Sequence, residues 1–187
     1  MAMTYAGSCA VLLSGGIDSA VVAHALRSQG WDIAALFVDY GQPAREAERT
    51  ASTRVAAHYD LPWQEVGLTG MSVPQSGEIP GRNDMLIALA RATLPGRSIA
   101  VGIHGGTEYA DCSPAWTTAW QQLIDAQSGG VARILAPLLH RRKDEIISHA
   151  RYSQVPIHLT HSCERANDPC GQCLSCQDWE RARVGAK

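Results

Sequence analysis

The stretch CAVLLSGGIDSAVVAHALRS, Cys9 to Ser28, decides how the chain folds. Cys9 to Leu13 is a short unbroken apolar run, the pattern of a strand covered on both faces. From Ala20 onward the residues AVVAHALRS take up helical spacing. Ser14, Gly15 and Gly16 stand between, so a tight turn joins the end of a strand to the start of a helix. Two residues without side chains let the backbone bring its N–H groups against an anion, and the helix start adds its positive dipole end there. Ser14 and Ser19 supply hydroxyls that can donate to phosphate oxygens. No lysine follows the glycines, and neither the GxxxxGKS/T nor the GxGxxG spacing is present.

Outward from this turn the pattern alternates. Residues 33–38 (IAALFV) read as a second buried strand, closed by Asp39-Tyr40-Gly41. From Pro43 to Asp60, Ala44, Ala47, Ala51 and Val55 recur at helical steps among Arg45, Glu46, Glu48 and Arg49, an amphipathic helix. Residues 63–66 suit a third strand, and 67–82, rich in Gly, Ser and Pro, a long loop. A helix follows from Asp84 to Thr93, with Asn83 as its N-cap. Ile99–Ile103 reads as a strand, Ala115–Ala126 as a helix, Ile134–Leu139 as a last apolar stretch and Asp144–Arg151 as a short helix. Alternating strands and helices predict an α/β fold, a doubly wound parallel sheet. Right-handed crossovers then bring the loops 14–19, 39–42 and 102–113 together along one edge, where such sheets bind ligands.

The chain has 187 residues, 45% hydrophobic and 18% charged, enough for one domain with a core. No stretch approaches the ~20 consecutive apolar residues of a membrane span. Met1 to Ser8 lacks the pattern of a signal peptide, so a cytoplasmic protein is expected. A net charge of -2 argues against binding nucleic acid mainly through phosphate contacts, although Arg141, Arg142 and Lys143 form a local basic run. Of six cysteines, Cys9 and Cys112 stand alone, while Cys163, Cys170, Cys173 and Cys176 crowd together. Their two-residue gaps let neighbouring thiolates reach one ion at about 2.3 Å, with Gly171 permitting the tight turn. Four sulfur ligands close a zinc site and make it structural; an iron–sulfur cluster is the rival reading. His158 and His161 lie close enough to replace a cysteine, though a surface or hydrogen-bonded histidine is the ordinary reading of each. The expected division is a nucleotide domain over 1–155 and a zinc-binding segment over 156–187, packed on the same domain.

SGGxDS after a buried strand resembles the signature of the ATP-pyrophosphatase (PP-loop) family, whose members cleave ATP between the α and β phosphates. The whole set resembles the 7-cyano-7-deazaguanine synthase family of the queuosine and deazaguanine pathway. The matching pieces are residues 14–19, Tyr40-Gly41-Gln42, Pro80-Gly81-Arg82-Asn83, Tyr109-Ala110-Asp111-Cys112, Lys143 with Glu145, and the cysteine tail. The resemblance implies the sheet of that superfamily, with ATP against Leu13, Ser14, Gly15, Gly16, Ile17, Asp18, Ser19 and Ala20. It implies Mg²⁺ on the phosphates with Asp18 orienting it or the loop, and Zn²⁺ on the four cysteines. The reaction it implies is adenylation of the carboxylate of 7-carboxy-7-deazaguanine, displacement of AMP by ammonia to give the amide, and dehydration to the nitrile with a second ATP. Asp18, Arg82 and Lys143 are the catalytic candidates; Tyr40, Gln42, Arg82, Asn83, Glu108, Tyr109 and Asp111 are the substrate candidates. A homodimer is the implied assembly.

The chain departs from the family pattern in three ways. Pro43-Ala44 stand where Arg-His usually follows Tyr-Gly-Gln, the loop 102–108 is shorter and lacks an upstream Asp, for which Glu108 is a stand-in, and the chain itself is short. A related ligase that passes the acyl-adenylate to another amine, on a protein or nucleic acid, is the first alternative. A PP-loop RNA-modifying enzyme is the second; Cys9 and Cys112 are then the only free thiols to serve it. A zinc-binding interaction module with a relic loop is the third.

Overall fold

In the computed structural model, which describes residues 7–74, 79–107 and 109–184, the apolar run and the turn after it form the centre of the sheet. The strands are β1 (Ser8–Leu12), β2 (Asp32–Asp39), β3 (Trp63–Gly67), β4 (Ser98–Ala100) and β5 (Ile134–Leu135). All pair in parallel, in the order β3-β2-β1-β4-β5. The helices are α1 (Ile17–Ser28), α2 (Arg45–His58), α3 (Arg82–Thr93), α4 (Pro114–Ser128), α5 (Lys143–Tyr152) and α6 (Leu174–Val184), with 3-10 turns at Ala110–Cys112 and Ile157–Leu159.

Because successive side chains of a strand point to opposite faces, β1 feeds two cores. Cys9, Val11 and Leu13 point to the side where α1, α2, α5 and α6 pack, among them Val21, Val55, Ile146, Ile147 and Ala182. Ala10 and Leu12 point to the other side, against Ile87 of α3 and Ile124 of α4. Two covered faces are what an unbroken apolar strand requires. The chain reverses its direction of travel across the sheet between β1 and β4, so a crevice opens beyond their carboxyl ends.

Four details differ from the pattern reading. The strand expected over Ile99–Ile103 leaves the sheet after Ala100, because Gly102 crosses the start of α1: a Cβ there would lie 3.1 Å from the Ser19 nitrogen. The apolar stretch Ile134–Leu139 contributes only two residues to the sheet. The helix expected from Asp84 begins at Arg82, since Gly81 takes a left-handed φ of 72° and turns the chain into it. Asn83 is therefore inside the helix and not its N-cap. Finally, the cysteine tail ends in α6, whose apolar pattern is blurred by exposed Leu174 and Val184 while Ala182 is fully buried.

Ser52 ties the layers together on the α2 side. Its hydroxyl donates to the Leu13 carbonyl at 2.6 Å and accepts the Trp63 indole N–H at 2.9 Å, with no exposure to water. Ser52→Ala leaves a buried carbonyl and a half-buried indole without partners, so urea denaturation will show a loss of about 1–3 kcal/mol.

Candidate active site and metal centre

The turn after β1 sits on helix α2. Gly15 has a φ of 85°, and a Cβ there would come within 2.6 Å of the Glu48 carbonyl oxygen and 2.7 Å of the Ser52 nitrogen. Only glycine meets both conditions. The Ser19 hydroxyl donates to the Gly16 carbonyl at 2.9 Å and lies 3.3 Å from the Ser14 hydroxyl, while the Gly16 N–H approaches Ser14 Oγ at 3.4 Å. Leu13, Ile17 and Ala20 are buried and anchor the loop; Ser14 is exposed, and Gly16 and Asp18 are half-buried.

Asp18 lies in the first turn of α1, and Lys143 is the first residue of α5. The Lys143 ammonium donates to both carboxylate oxygens of Asp18, at 2.7 and 2.8 Å, which joins residues far apart in the chain beside the turn. Lys143 is carried there by its helix start, where the Glu145 carboxylate accepts the Arg142 N–H at 2.7 Å. His104, on the loop after β4, accepts the Gly106 N–H on Nδ1 at 3.2 Å. Burial pushes its pKa down, opposed by the Asp18 carboxylate and reinforced by Lys143. The loop 102–106 thus adjoins the pair.

On the β2 side, the Arg82 guanidinium faces the Tyr40 hydroxyl, whose pKa burial raises against that cation. Gln42 is 6% exposed. Its Oε1 accepts the Tyr40 N–H at 2.9 Å, and its Nε2 donates to the Val38 carbonyl at 3.1 Å and to Glu48 at 2.9 Å. Both amide protons are therefore engaged within the protein. Asn83 is 3% exposed and donates its amide to the Asp111 carbonyl at 3.2 Å, while its N–H meets the Asp111 carboxylate at 3.3 Å. Asn83 and Asp111 thereby clip α3 to the turn at Ala110–Cys112. Tyr109 is half exposed at 50%. Glu108 lies outside the described residues. Cys9 is buried, with its thiol pushed up to about 12, and burial also raises that of Cys112. Neither thiol is activated.

Sequence reasoning missed Glu48 and His104 as site groups. For Glu48 a signal existed: with Ala44, Ala51 and Val55 it falls on the buried stripe of α2, where a carboxylate is out of place.

The sulfurs of Cys163, Cys170, Cys173 and Cys176 lie within 4.8 Å of one another. The Cys170–Cys176 separation of 3.9 Å is close to the edge, about 3.8 Å, of a tetrahedron of sulfurs at zinc distance. The N–H groups of Cys173 and Cys176 point at the sulfurs of Cys170 and Cys173, each at 3.4 Å, and Gly171 takes a φ of 70° in the turn. N–H groups of Gln172 and Cys173 hold the Cys170 thiol down to about 6, while burial pushes that of Cys176 up to about 12, so a bound cation would be needed to keep all four as thiolates. The donor set fits one ion. The His161 ring points instead to the Ala166 carbonyl at 3.3 Å, while its backbone N–H donates to the Gly15 carbonyl at 2.9 Å. The cysteine segment therefore holds the glycine turn from outside.

A parallel sheet with a glycine turn at its switch point is the fold of the PP-loop class, and this chain adds a four-cysteine cluster to it. The family model described as "Queuosine biosynthesis protein QueC" matches residues 8–76 and 70–185. The 7-cyano-7-deazaguanine synthase of Paracoccus denitrificans is 31% identical, over 92% of this chain and 86% of that protein. That of Azotobacter vinelandii is 34% identical, over 89% of each. The chain belongs to the 7-cyano-7-deazaguanine synthase family, enzymes of queuosine biosynthesis and ATP-dependent ligases acting on a small molecule. Solved structures share the fold at low identity. A U34-tRNA thiolase of Methanococcus maripaludis, with its 4Fe–4S cluster, gives a TM-score of 0.58 at 17% identity over 97% of this chain and 66% of that one. The NMN synthetase of Francisella tularensis gives 0.54 at 16%, over 97% and 87%. Among the described residues no helix is long and apolar enough to cross a membrane.

Cys173→Ser removes one of four ligands from a largely buried cage. Elemental analysis of the purified variant will show metal well below stoichiometric, and its melting temperature will fall below that of the parent chain.

Proposed function

We propose that this chain adenylates the carboxylate of 7-carboxy-7-deazaguanine with ATP, lets ammonia displace AMP, and converts the resulting amide to 7-cyano-7-deazaguanine with a second ATP. The observation that carries the reading is the Asp18–Lys143 pair at 2.7 Å, set against the glycine turn at the switch point of the sheet. A carboxylate oxygen is a poor leaving group and AMP a good one, so activation must bring two anions together. Ser14, the N–H groups around Gly16 and the α1 dipole would hold the phosphates. Lys143 and Arg82 would supply positive charge to the phosphoryl group and the acid. Asp18, released by Lys143 when phosphate takes the ammonium, would hold Mg²⁺, which neutralises charge on the phosphates when bound. Tyr40, Tyr109 and Asp111 would line the deazapurine side, with Gln42 and Asn83 supporting that wall from behind.

Zinc is the ion proposed for Cys163, Cys170, Cys173 and Cys176, in a structural role. With it, residues 156–187 would act as a zinc-binding segment docked on the nucleotide domain 1–155. A homodimer in the cytoplasm completes the proposal, checked by light scattering of the metal-loaded protein.

Protein incubated with ATP, Mg²⁺, ammonium and the acid will yield the nitrile by mass spectrometry. Pyrophosphate without amide or nitrile would instead favour transfer to a different amine. Asp18→Ala will abolish AMP formation while the circular dichroism spectrum stays that of the parent; retained turnover would refute the role given to Asp18.

A further inference from the structure

Glu48 is an acid on the inner face of this site that, among the described residues, has no direct ion pair and only the more distant Arg82 as a cation. Arg49 pairs with Asp39, with Glu65 at 2.8 Å and with Glu46, and Lys143 pairs with Asp18. Among the described residues Glu48 has no ion pair within 4.0 Å, and its single hydrogen bond is from Gln42 Nε2 to Oε2, at 2.9 Å. Gln42 is itself fixed by the Tyr40 N–H and the Val38 carbonyl, so the carboxylate is held in one orientation with Oε1 left without a protein partner among the described residues. A half-buried carboxylate without a direct ion pair is costly to keep ionised, and such groups cluster where a carboxylate has work with a ligand.

Its location is as specific as its isolation. The backbone of residue 48 abuts Gly15, on the floor of the phosphate turn. The Gln42 amide links its carboxylate to the Tyr40 backbone, on the wall proposed for the acid. On the adenylation reading, Glu48 then lies between the turn assigned to the phosphates and the wall assigned to the acid, where the C–N bond has to form.

We propose that Glu48 receives the nitrogen nucleophile as ammonium and takes the proton that must leave before nitrogen can attack. This inference rests on the adenylation reading above. At neutral pH ammonia is almost entirely ammonium, which has no free electron pair. One proton passes from ammonium to a Glu48 oxygen, and the freed pair on nitrogen forms the C–N bond to the acyl carbon. The bond from that carbon to the AMP oxygen breaks, with its electron pair going to AMP. The adduct loses its extra proton to water, leaving the neutral amide. Burial raises the Glu48 pKa to about 7, opposed by the Gln42 hydrogen bond and then by Arg82, which suits an acceptor that must both take and release a proton near neutrality. Besides Arg82 from α3, the charges facing it are Glu164 from the cysteine segment and Asp39 at the end of β2.

Glu48→Gln retains the shape and offers Gln42 an acceptor. With the acid present and no ammonium, exchange of labelled pyrophosphate into ATP will stay within about 3-fold of the parent, while ammonium-dependent product falls by about 100-fold. Hydroxylamine, neutral at this pH, needs no base, so it will give the hydroxamate at close to the parent rate. Glu48→Asp, which keeps a carboxylate but shortens it, will fall between the two. Equal loss of exchange and product, or equal loss with hydroxylamine and ammonium, in a variant whose melting temperature matches the parent would overturn the assignment. If Glu48→Gln does not fold, Glu48→Asp decides in its place: ammonium product reduced with hydroxamate preserved upholds the assignment, and parallel loss of both ends it. A parent protein that shows no exchange with the acid sinks the adenylation reading, and this one with it.

Discussion

Gly15 is bare because the turn that ends β1 is pressed on to the backbone of α2, and much of the site follows from that contact. A side chain there would strike the Glu48 carbonyl and the Ser52 nitrogen, so the loop lies flush on the helix. That posture leaves the Gly15 carbonyl outward, where the His161 N–H takes it up at 2.9 Å. It also fixes how far residue 48 stands from the phosphate position. One missing methyl group thereby joins the nucleotide loop, the second helix and the cysteine segment into a single rigid corner.

The charges around this corner are sorted rather than scattered. Arg49 gathers Asp39, Glu46 and Glu65 on the outer side of α2, and being cationic and partly solvated it does so at small net energy. Inside, Asp18 and Lys143 neutralise each other, each about one quarter exposed. On the proposed reading, a triphosphate entering the turn would offer Lys143 a stronger anion than one carboxylate, so the resting pair would be a state that substrate displaces. Arg82 faces Tyr40 across the crevice and gives the far wall its positive charge.

The sheet and the phosphate turn were legible in the sequence because they rest on local pattern. An apolar run, two glycines and a helical stripe leave few other folds open; the four strands and five helices read from the pattern are present, β4 shorter than read, and β5 falls at the start of the last apolar stretch. The cysteine centre was legible for the same reason, since ligand spacing is a local property. What pattern could not supply was anything set by contacts across the chain. Gln42 reads like a binding residue, yet its amide is spent on Val38, Tyr40 and Glu48. Asn83 reads like a helix cap, yet the left-handed Gly81 starts the helix two residues earlier and turns Asn83 inward to Asp111. Helix α6 was hidden because it buries only a narrow stripe around Cys176 and Ala182.

Cys9 of β1 and Ala182 of α6 belong to one packed interior. Helices α1 and α2 supply the first part of that cover, and α5 and α6, much later in the sequence, supply the rest. The central strand also acquires its second neighbour, β4, only after β2 and β3 have been made. Partly synthesised chains therefore carry an open sheet edge and an uncovered apolar face, the features that invite aggregation. The cysteine segment that holds the Gly15 turn therefore also contributes, through Ala182, to the cover of the central strand.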